Sequence, residues 1–282
     1  MTTVPSITLN DGRQIPQLGF GTFRVAPDET AAIVREALEA GYRHIDTAEM
    51  YDNEDGVGEG VRASGLDRAD VFVTSKLSNA YHRPDDAKRA FDETLSVLGF
   101  DYVDLFLIHW PLPTRYDGDY VSTWQALEEF QRDGRARSIG VSNFQVAHLE
   151  RLASASTTVP AVNQVEAHPN FANDTVRTYG EQHGIATQAW SPLAAGEMLV
   201  DSDIVDIATR LGRSPAQVIL RWHVDRGDIV LPKTVSPSRM RENLALFDFE
   251  LSADDAAMLS ALDRGEEGRT GPHPDTFDLI PS

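Results

Sequence analysis

The sequence predicts an α/β fold, a (β/α)8 TIM barrel filling residues 1–282 as one domain, and three observations point there. Short apolar segments alternate with helical patterns along the chain, eight of each strand-like kind by our count. Their spacing suits βα units repeated through roughly 250 residues. The rival, a doubly wound sheet, lacks its glycine fingerprint: Gly56-Val57-Gly58-Glu59-Gly60-Val61 puts Val where the third Gly belongs and follows a loop, so it reads as a helix start.

The elements follow in order. Segments 7–9 and 14–18 flank Asn10-Asp11-Gly12, a turn signal, and predict an N-terminal β-hairpin that plugs or edges the barrel. The first barrel strand falls within 18–23, where Gly19 and Gly21 would let backbone approach a ligand closely. Asp28 reads as the N-cap of a helix with Ile33, Val34, Ala37 and Leu38 on one face and Gly41 just past its end. Strand 42–46, helix 54–63 and strand 71–76 come next. Helix 84–98 places Ala87, Ala90, Phe91, Thr94, Leu95 and Leu98 on one stripe, with Gly99 beyond it, and strand 103–108 runs into His109.

The alternation continues through helix 121–132, strand 136–141, helix 145–153, strand 161–165, helix 172–183 and strand 185–190. Ser214 with Gln217 has capping-box spacing around Pro215 and opens a helix. Segment 229–231 is the last strand, Ser236-Pro237 opens another helix, and Ser252 opens an extra C-terminal helix followed by a loop.

Composition narrows the function. Lys and Arg number 25 against 44 Asp and Glu, a net charge of −19 with a pI near 4.7, which argues against nucleic acid or an anionic membrane as partner. The absence of Cys excludes disulfides, thiolate metal sites and thiol nucleophiles. Residues 1–14 carry neither a basic start nor an apolar run, and no stretch reaches the roughly 18 apolar residues of a membrane helix, so a cytoplasmic enzyme is expected. Asn173-Asp174-Thr175 matches a glycosylation acceptor only formally, and the lack of heptads makes monomer the default.

In a barrel, Asp46, Lys76 and His109 end consecutive strands and share one face, with Tyr51 on the loop above the same rim. Each residue alone has a structural explanation: Asp46 as a helix cap, Tyr51 as packing, Lys76 as a snorkelling side chain, His109 as a satisfied core histidine. Together they describe a proton donor for a carbonyl oxygen. Tyr51 gives the proton, Lys76 draws its pKa down, Asp46 holds Lys76, and His109 orients the carbonyl. Near the other end of the chain Lys233, Thr234 and Arg239 gather about the helix start at Ser236-Pro237, where free amides and the helix dipole favour a phosphate.

This arrangement resembles the aldo-keto reductase superfamily over nearly the whole chain. The likeness is carried by Asp46-Thr47-Ala48 with Tyr51 and Asn53-Glu54, by Thr74-Ser75-Lys76-Leu77 and by His109-Trp110-Pro111. It continues through residues 138–144, Val162-Asn163-Gln164, Ser191-Pro192-Leu193 and Leu231-Pro232-Lys233-Thr234. Segments 4–12, 248–251 and 271–277 look most like bacterial 2,5-diketo-D-gluconic acid reductases. The resemblance implies hydride transfer from NADPH to an aldehyde or ketone of a small-molecule substrate, keto sugars and diketones included, with Tyr51 as general acid.

It also implies cofactor contacts. The nicotinamide carboxamide falls to Ser142, Asn143 and Gln164, the stacking aromatic to Trp190, and the pyrophosphate to Ser191, Leu193 and Gly196. Gly21, Thr22 and Asp46 join the cofactor set, Lys233, Thr234 and Arg239 become a 2′-phosphate clamp, and Glu242 and Asn243 meet the adenine. NADPH is therefore expected over NADH. Substrate walls are expected from Phe20, Phe23, Trp110 and the loop near His273, beside Tyr51 and His109. Ser78 stands where many relatives carry Trp, and Ala194 where Gly is common, which leaves pocket shape open. Three competing readings remain: an aldolase-like Schiff base on Lys76, a metal-dependent hydrolase, for which the histidines lack ligand spacing, and a noncatalytic NADPH-binding sensor.

Overall fold

A computed structural model describes residues 4–281; residues 1–3, the start of the stretch read for a signal peptide, and residue 282 lie outside the described residues. The hairpin forms from β1 (Ser6–Thr8) and β2 (Gln14–Pro16), antiparallel, with Ile7 opposite Ile15. Eight parallel strands follow: β3 (Phe20–Gly21), β4 (His44–Asp46), β5 (Phe72–Leu77), β6 (Val103–Ile108), β7 (Ala136–Ser142), β8 (Val162–Glu166), β9 (Ala186–Trp190) and β10 (Ile229–Val230). Each pairs with its neighbour in chain order. The cylinder closes between its first and last staves, where Gly19 N donates to Val230 O (2.9 Å), Val230 N to Gln17 O (2.9 Å) and Gly21 N to Pro232 O (3.2 Å). Closure removes the open edges that a flat sheet would expose.

The two-residue pleat decides what fills the cylinder. Phe72, Leu105, Leu107, Val162 and Ile229 form the inner cluster, whereas Val73, Phe106 and Ile108 on the same strands pack outward in the larger core shared with the helices. Leu9 and Ile15 belong to the inner cluster too, so the hairpin is a plug for the N-terminal end. Burying Ile15 completely contributes roughly 1.5–3 kcal/mol. Gly19 serves this packing as well: a Cβ there would stand 2.6 Å from Leu231 Cδ2 and 2.7 Å from His44 Nδ1, so its bareness admits side chains and not a ligand.

The outer ring begins with α1 (Pro27–Ala40), α2 (Glu54–Ala63), α3 (Pro84–Leu98), α4 (Val121–Arg132), α5 (Val146–Ala155) and α6 (Asp174–Gln182). Pro27 occupies the first helical position of α1 and Ala26 its N-cap, so Asp28 is no cap but a first-turn acid at the positive end of the dipole. The buried face of α3 is Ala87, Ala90, Phe91, Thr94, Leu95 and Leu98, the expected stripe, and Gly99 ends the helix at φ 67°. After β9 the chain makes a helix with no counterpart in the sequence reading, α7 (Ser202–Leu211), capped by Asp201 on the amides of Asp203 and Ile204. With α8 (Pro215–Asp225) and α10 (Ala253–Ser260) it encloses a satellite core around Trp222, while α9 (Pro237–Leu244) follows β10. The capping boxes of Ser214 with Gln217 and Ser252 with Asp255 both form. Among the described residues no helix is long and apolar enough to cross a membrane.

The glycine run of α2 is a packing device. A Cβ on Gly56 would meet Thr30, one on Gly60 would lie 2.7 Å from Ala31 O, and one on Gly58 would lie 2.0 Å from Leu98 O. Helix α2 therefore sits against α1 and the end of α3 at backbone distance. Gly58→Ala is expected to lower unfolding free energy by about 1–3 kcal/mol, the overpacking cost, despite the ~1 kcal/mol that Ala gains in helix propensity. Denaturant titration checks this; a variant as stable as the parent would contradict the close approach.

Candidate active site

Inward pleat positions bring the polar groups to the C-terminal mouth. Asp46 closes β4, Lys76 is followed by Leu77 within β5, and His109 comes directly after β6. Lys76 thus does not terminate its strand as expected; it reaches the mouth because its pleat position points inward. A 3-10 turn, Glu49–Tyr51, carries Tyr51 over the rim.

The four groups meet. Lys76 Nζ donates to Asp46 Oδ1 (2.6 Å), to Thr47 O (2.8 Å) and to the Tyr51 hydroxyl oxygen (3.3 Å). Asp46 Oδ2 accepts from Gln164 Nε2 at 2.7 Å. The ring centroid of His109 lies 5.7 Å from that of Tyr51, edge to face. Lys76 is fully buried, which an ammonium tolerates only with partners on its protons. Because the Tyr51 oxygen already accepts from Lys76, the phenol's own proton is free for an acceptor in the mouth.

Charge states follow from burial. Burial opposes the Lys76 charge, but Asp46 and Tyr51 outweigh it and its pKa is raised, so it stays an ammonium. Burial pushes the Asp46 carboxyl up while Lys76 and Gln164 pull it back; with a donor on each oxygen, the ion pair is the form this geometry holds. Burial, aided by the Lys76 charge, keeps the His109 imidazole well below its usual range and therefore neutral. The Tyr51 phenol departs from expectation: its pKa is raised, because burial outweighs the pull of Lys76 and Asp46 adds to the rise. Asp46 cancels much of the ammonium's field, so Tyr51 keeps its proton at neutral pH.

The residues expected at the cofactor divide into committed and free. Thr22 is buried and its hydroxyl donates to Asp46 O (3.1 Å), while Asn53, unnoticed for this role, ties Thr22 O (3.0 Å) and Val25 O (3.2 Å) to the site. Gly21 leaves ordinary space beside Leu231 O and Lys233. Asn143 Nδ2 donates to the backbone His109 O (2.9 Å), and its Oδ1 accepts from Trp190 Nε1 (2.8 Å), so it fixes the backbone at His109 and orients the indole. Ser142 Oγ donates to Gln164 O (2.8 Å), and Gln164 also donates to Gln188 Oε1 (2.8 Å). Gln188, which sequence reasoning passed over, extends the inward polar layer; its inward strand position is the signal that marks it.

The half-buried indole of Trp190 leads into a tight loop, with Ser191, Ala194, Ala195 and Gly196 at positive φ and Leu193 between them. Ala194 at φ 48° occupies a conformation that glycine takes without strain. Farther round, Lys233 and Arg239 are exposed and, among the described residues, enter no ion pair. They flank the start of α9, where Ser236 makes no side-chain cap and Thr234 is buried. Asn243 is buried and Glu242 half-buried.

The expected substrate walls fare unequally. Phe20 is fully buried in the outer core, edge-on to Tyr42, so it is no wall: the pleat that turns Asp46 inward turns Phe20 away. Phe23 is 51 % exposed with its ring 5.0 Å from Tyr51. Trp110 packs on Phe277 at 4.2 Å, and His273 lies half-exposed on the C-terminal segment. Ser78 caps the next turn by accepting from Ala80 N and forms no apolar wall.

Comparison with known proteins agrees with this geometry. The sequence pattern described as the Aldo/keto reductase family matches residues 17–264. A morphine 6-dehydrogenase of Pseudomonas putida is 46 % identical over 287 residues, 97 % of this chain and 96 % of that protein. A methylglyoxal reductase DkgA of Yersinia pestis is 44 % identical over 280 residues, 98 % of this chain and 99 % of the other. Among solved structures, a Gox0644 mutant in complex with NADPH superposes with a TM-score of 0.94 at 44 % identity, covering 99 % of this chain and 100 % of that one. The chain belongs to the aldo/keto reductase family.

Proposed function

We propose that the chain, acting as a monomer, reduces aldehyde or ketone carbonyls of small molecules to alcohols with NADPH, using Tyr51 as proton donor. The observation that carries this reading is the Lys76–Tyr51 hydrogen bond at 3.3 Å, in which the phenol oxygen accepts, so that the phenol's own proton, kept on it by burial, is left for another acceptor. When bound, NADPH supplies the hydride. The neutral His109 offers an N–H to the carbonyl oxygen, and Tyr51 delivers its proton there as negative charge develops, with Lys76 stabilising the phenolate left behind. Asp46 and Gln164 keep Lys76 in place.

The fit of the cofactor is supported at both ends. Trp190 presents a half-exposed flat ring held by Asn143, suited to stacking on a nicotinamide. In a chain of charge −19, Lys233 and Arg239 are cations without an ion pair among the described residues, at a helix start with no side-chain cap, suited to the 2′-phosphate that distinguishes NADPH from NADH. Arg239→Ala should weaken NADPH binding by roughly 10–100-fold, the ~1.5–3 kcal/mol of a charge-assisted bond, and leave NADH unaffected. Equal losses for both nucleotides would remove the clamp.

The relatives named for methylglyoxal and morphine differ widely in the size of the molecule named, so substrate class has to come from this mouth. Ser78, turned into a cap, puts a small polar residue and no apolar wall past Lys76, which favours polar keto sugars and diketones over aldehydes with a flat apolar body. Following NADPH absorbance against aldehydes, diketones and keto sugars tests the whole reading. Turnover is expected, fastest with the last two; tight NADPH binding with no carbonyl reduced would overturn it.

A further inference from the structure

A buried carboxylate that the reduction does not use holds the C-terminal segment across the mouth. Glu166 ends β8 at 1 % exposure, on the inward pleat two positions beyond Gln164. Its Oε1 accepts from Thr270 N (2.7 Å) and Thr270 Oγ1 (2.6 Å) and lies 3.1 Å from His168 Nε2, while Oε2 accepts from Gly271 N (2.9 Å). Burial works against the charge, yet these donors hold the carboxyl below its usual range, so it is ionised.

The pinned residues touch the site. A Cβ on Gly271 would stand 2.5 Å from Trp190 Cη2, so the strap lies directly on the far edge of the indole whose near edge is held by Asn143. Past the pin, the strap packs Phe277 on Trp110, ring centroids 4.2 Å apart and tilted by 43°, and its Leu279 O accepts from Asn79 Nδ2 at 2.9 Å. The ion pair of Asp278 with Arg115 is about half exposed on both sides, and such pairs contribute only ~0–1 kcal/mol. Charge-assisted bonds to a buried carboxylate are stronger, so the Glu166 pin is the main fastening.

We propose that Glu166 is a positioning residue for substrate selection: by fixing Thr270 and Gly271 it seats the strap on Trp190 and sets the Phe277–Trp110 wall that a carbonyl compound with an apolar body meets. This rests on the reductase reading above. A small dicarbonyl, which needs only Tyr51 and His109, does not depend on the wall.

The experiment compares Glu166→Gln, Thr270→Val and Thr270→Ser in the full chain, with an aromatic aldehyde and methylglyoxal as substrates and hydrogen exchange as a second readout. Gln keeps the shape but sets an NH2 group against backbone donors. Glu166→Gln should raise KM for the aromatic aldehyde about tenfold or more, as the loss of one charge-assisted bond allows, with kcat and the methylglyoxal KM within about twofold. Amides of 270–281 should exchange faster while the barrel strands do not. Thr270→Val should move in the same direction and Thr270→Ser should restore parental values. An unchanged KM for the aromatic aldehyde would overturn the proposal, as would equal losses on both carbonyls with faster exchange throughout, the mark of a general structural role. A parent chain idle on both carbonyls would contradict the reductase reading instead, and unaltered exchange at 270–281 in Glu166→Gln would still overturn the pin.

Discussion

Tyr51→Phe is expected to cut carbonyl reduction by about 10²–10⁴-fold, the range for a general acid, while NADPH affinity stays within about twofold. The substitution removes one oxygen and keeps the ring against Phe23 and His109. What is lost is the proton that Lys76 leaves free and the acceptor for one of its donors. Lys76 retains Asp46 Oδ1 and Thr47 O, so the fold should change little. Stopped-flow turnover with fluorescence titration of NADPH checks both halves. Undiminished reduction would take Tyr51 out of the chemistry; lost NADPH binding would give it a different role.

The second large effect concerns the buried ion pair. Lys76→Met leaves the Asp46 carboxylate at 4 % exposure with Gln164 alone, and breaking such a pair costs roughly 3–5 kcal/mol. Asp46→Asn made together with Lys76→Met removes the stranded charge and should recover most of that stability. It should recover none of the activity, because the Tyr51 phenolate would still lack its cation. Urea unfolding of the two single variants and the double, beside turnover of each, separates the two roles. A single variant within about 1 kcal/mol of the parent would mean that the pair is weaker than its geometry implies.

Much of this was legible along the chain, for physical reasons. Short, nearly continuous apolar runs marked the eight barrel strands because both faces of each are buried, and the stripe from Ala87 to Leu98 marked α3 because one face of that helix is. Asp46, Lys76 and His109 stood out as polar groups at the ends of such runs. The direction of the Tyr51 shift was not legible: it depends on how far Asp46 cancels Lys76 and how deeply the phenol is buried, which are distances, not sequence features. Phe20 misled because a one-residue step along a strand reverses the face, and Gly19 because the side chains of Leu231 and His44, distant in sequence, fill the space beside it. Helix α7 did have a readable signal in Asp201, Ile204, Ile207, Ala208 and Gly212, hidden by the irregular loop that precedes it. Glu166 ends an apolar strand as Asp46 does, but its partners lie 104 and 105 residues away, and no local pattern announces them.

The most direct measurement is a crystal structure of the chain with NADP+. The account predicts the nicotinamide at the C-terminal mouth, one face on Trp190, with its reactive carbon opening onto a space from which a carbonyl could reach Tyr51 and His109 at about 3 Å, and the 2′-phosphate between Lys233 and Arg239. A nucleotide bound at the hairpin end of the barrel, or one whose nicotinamide lies away from Tyr51, would contradict it.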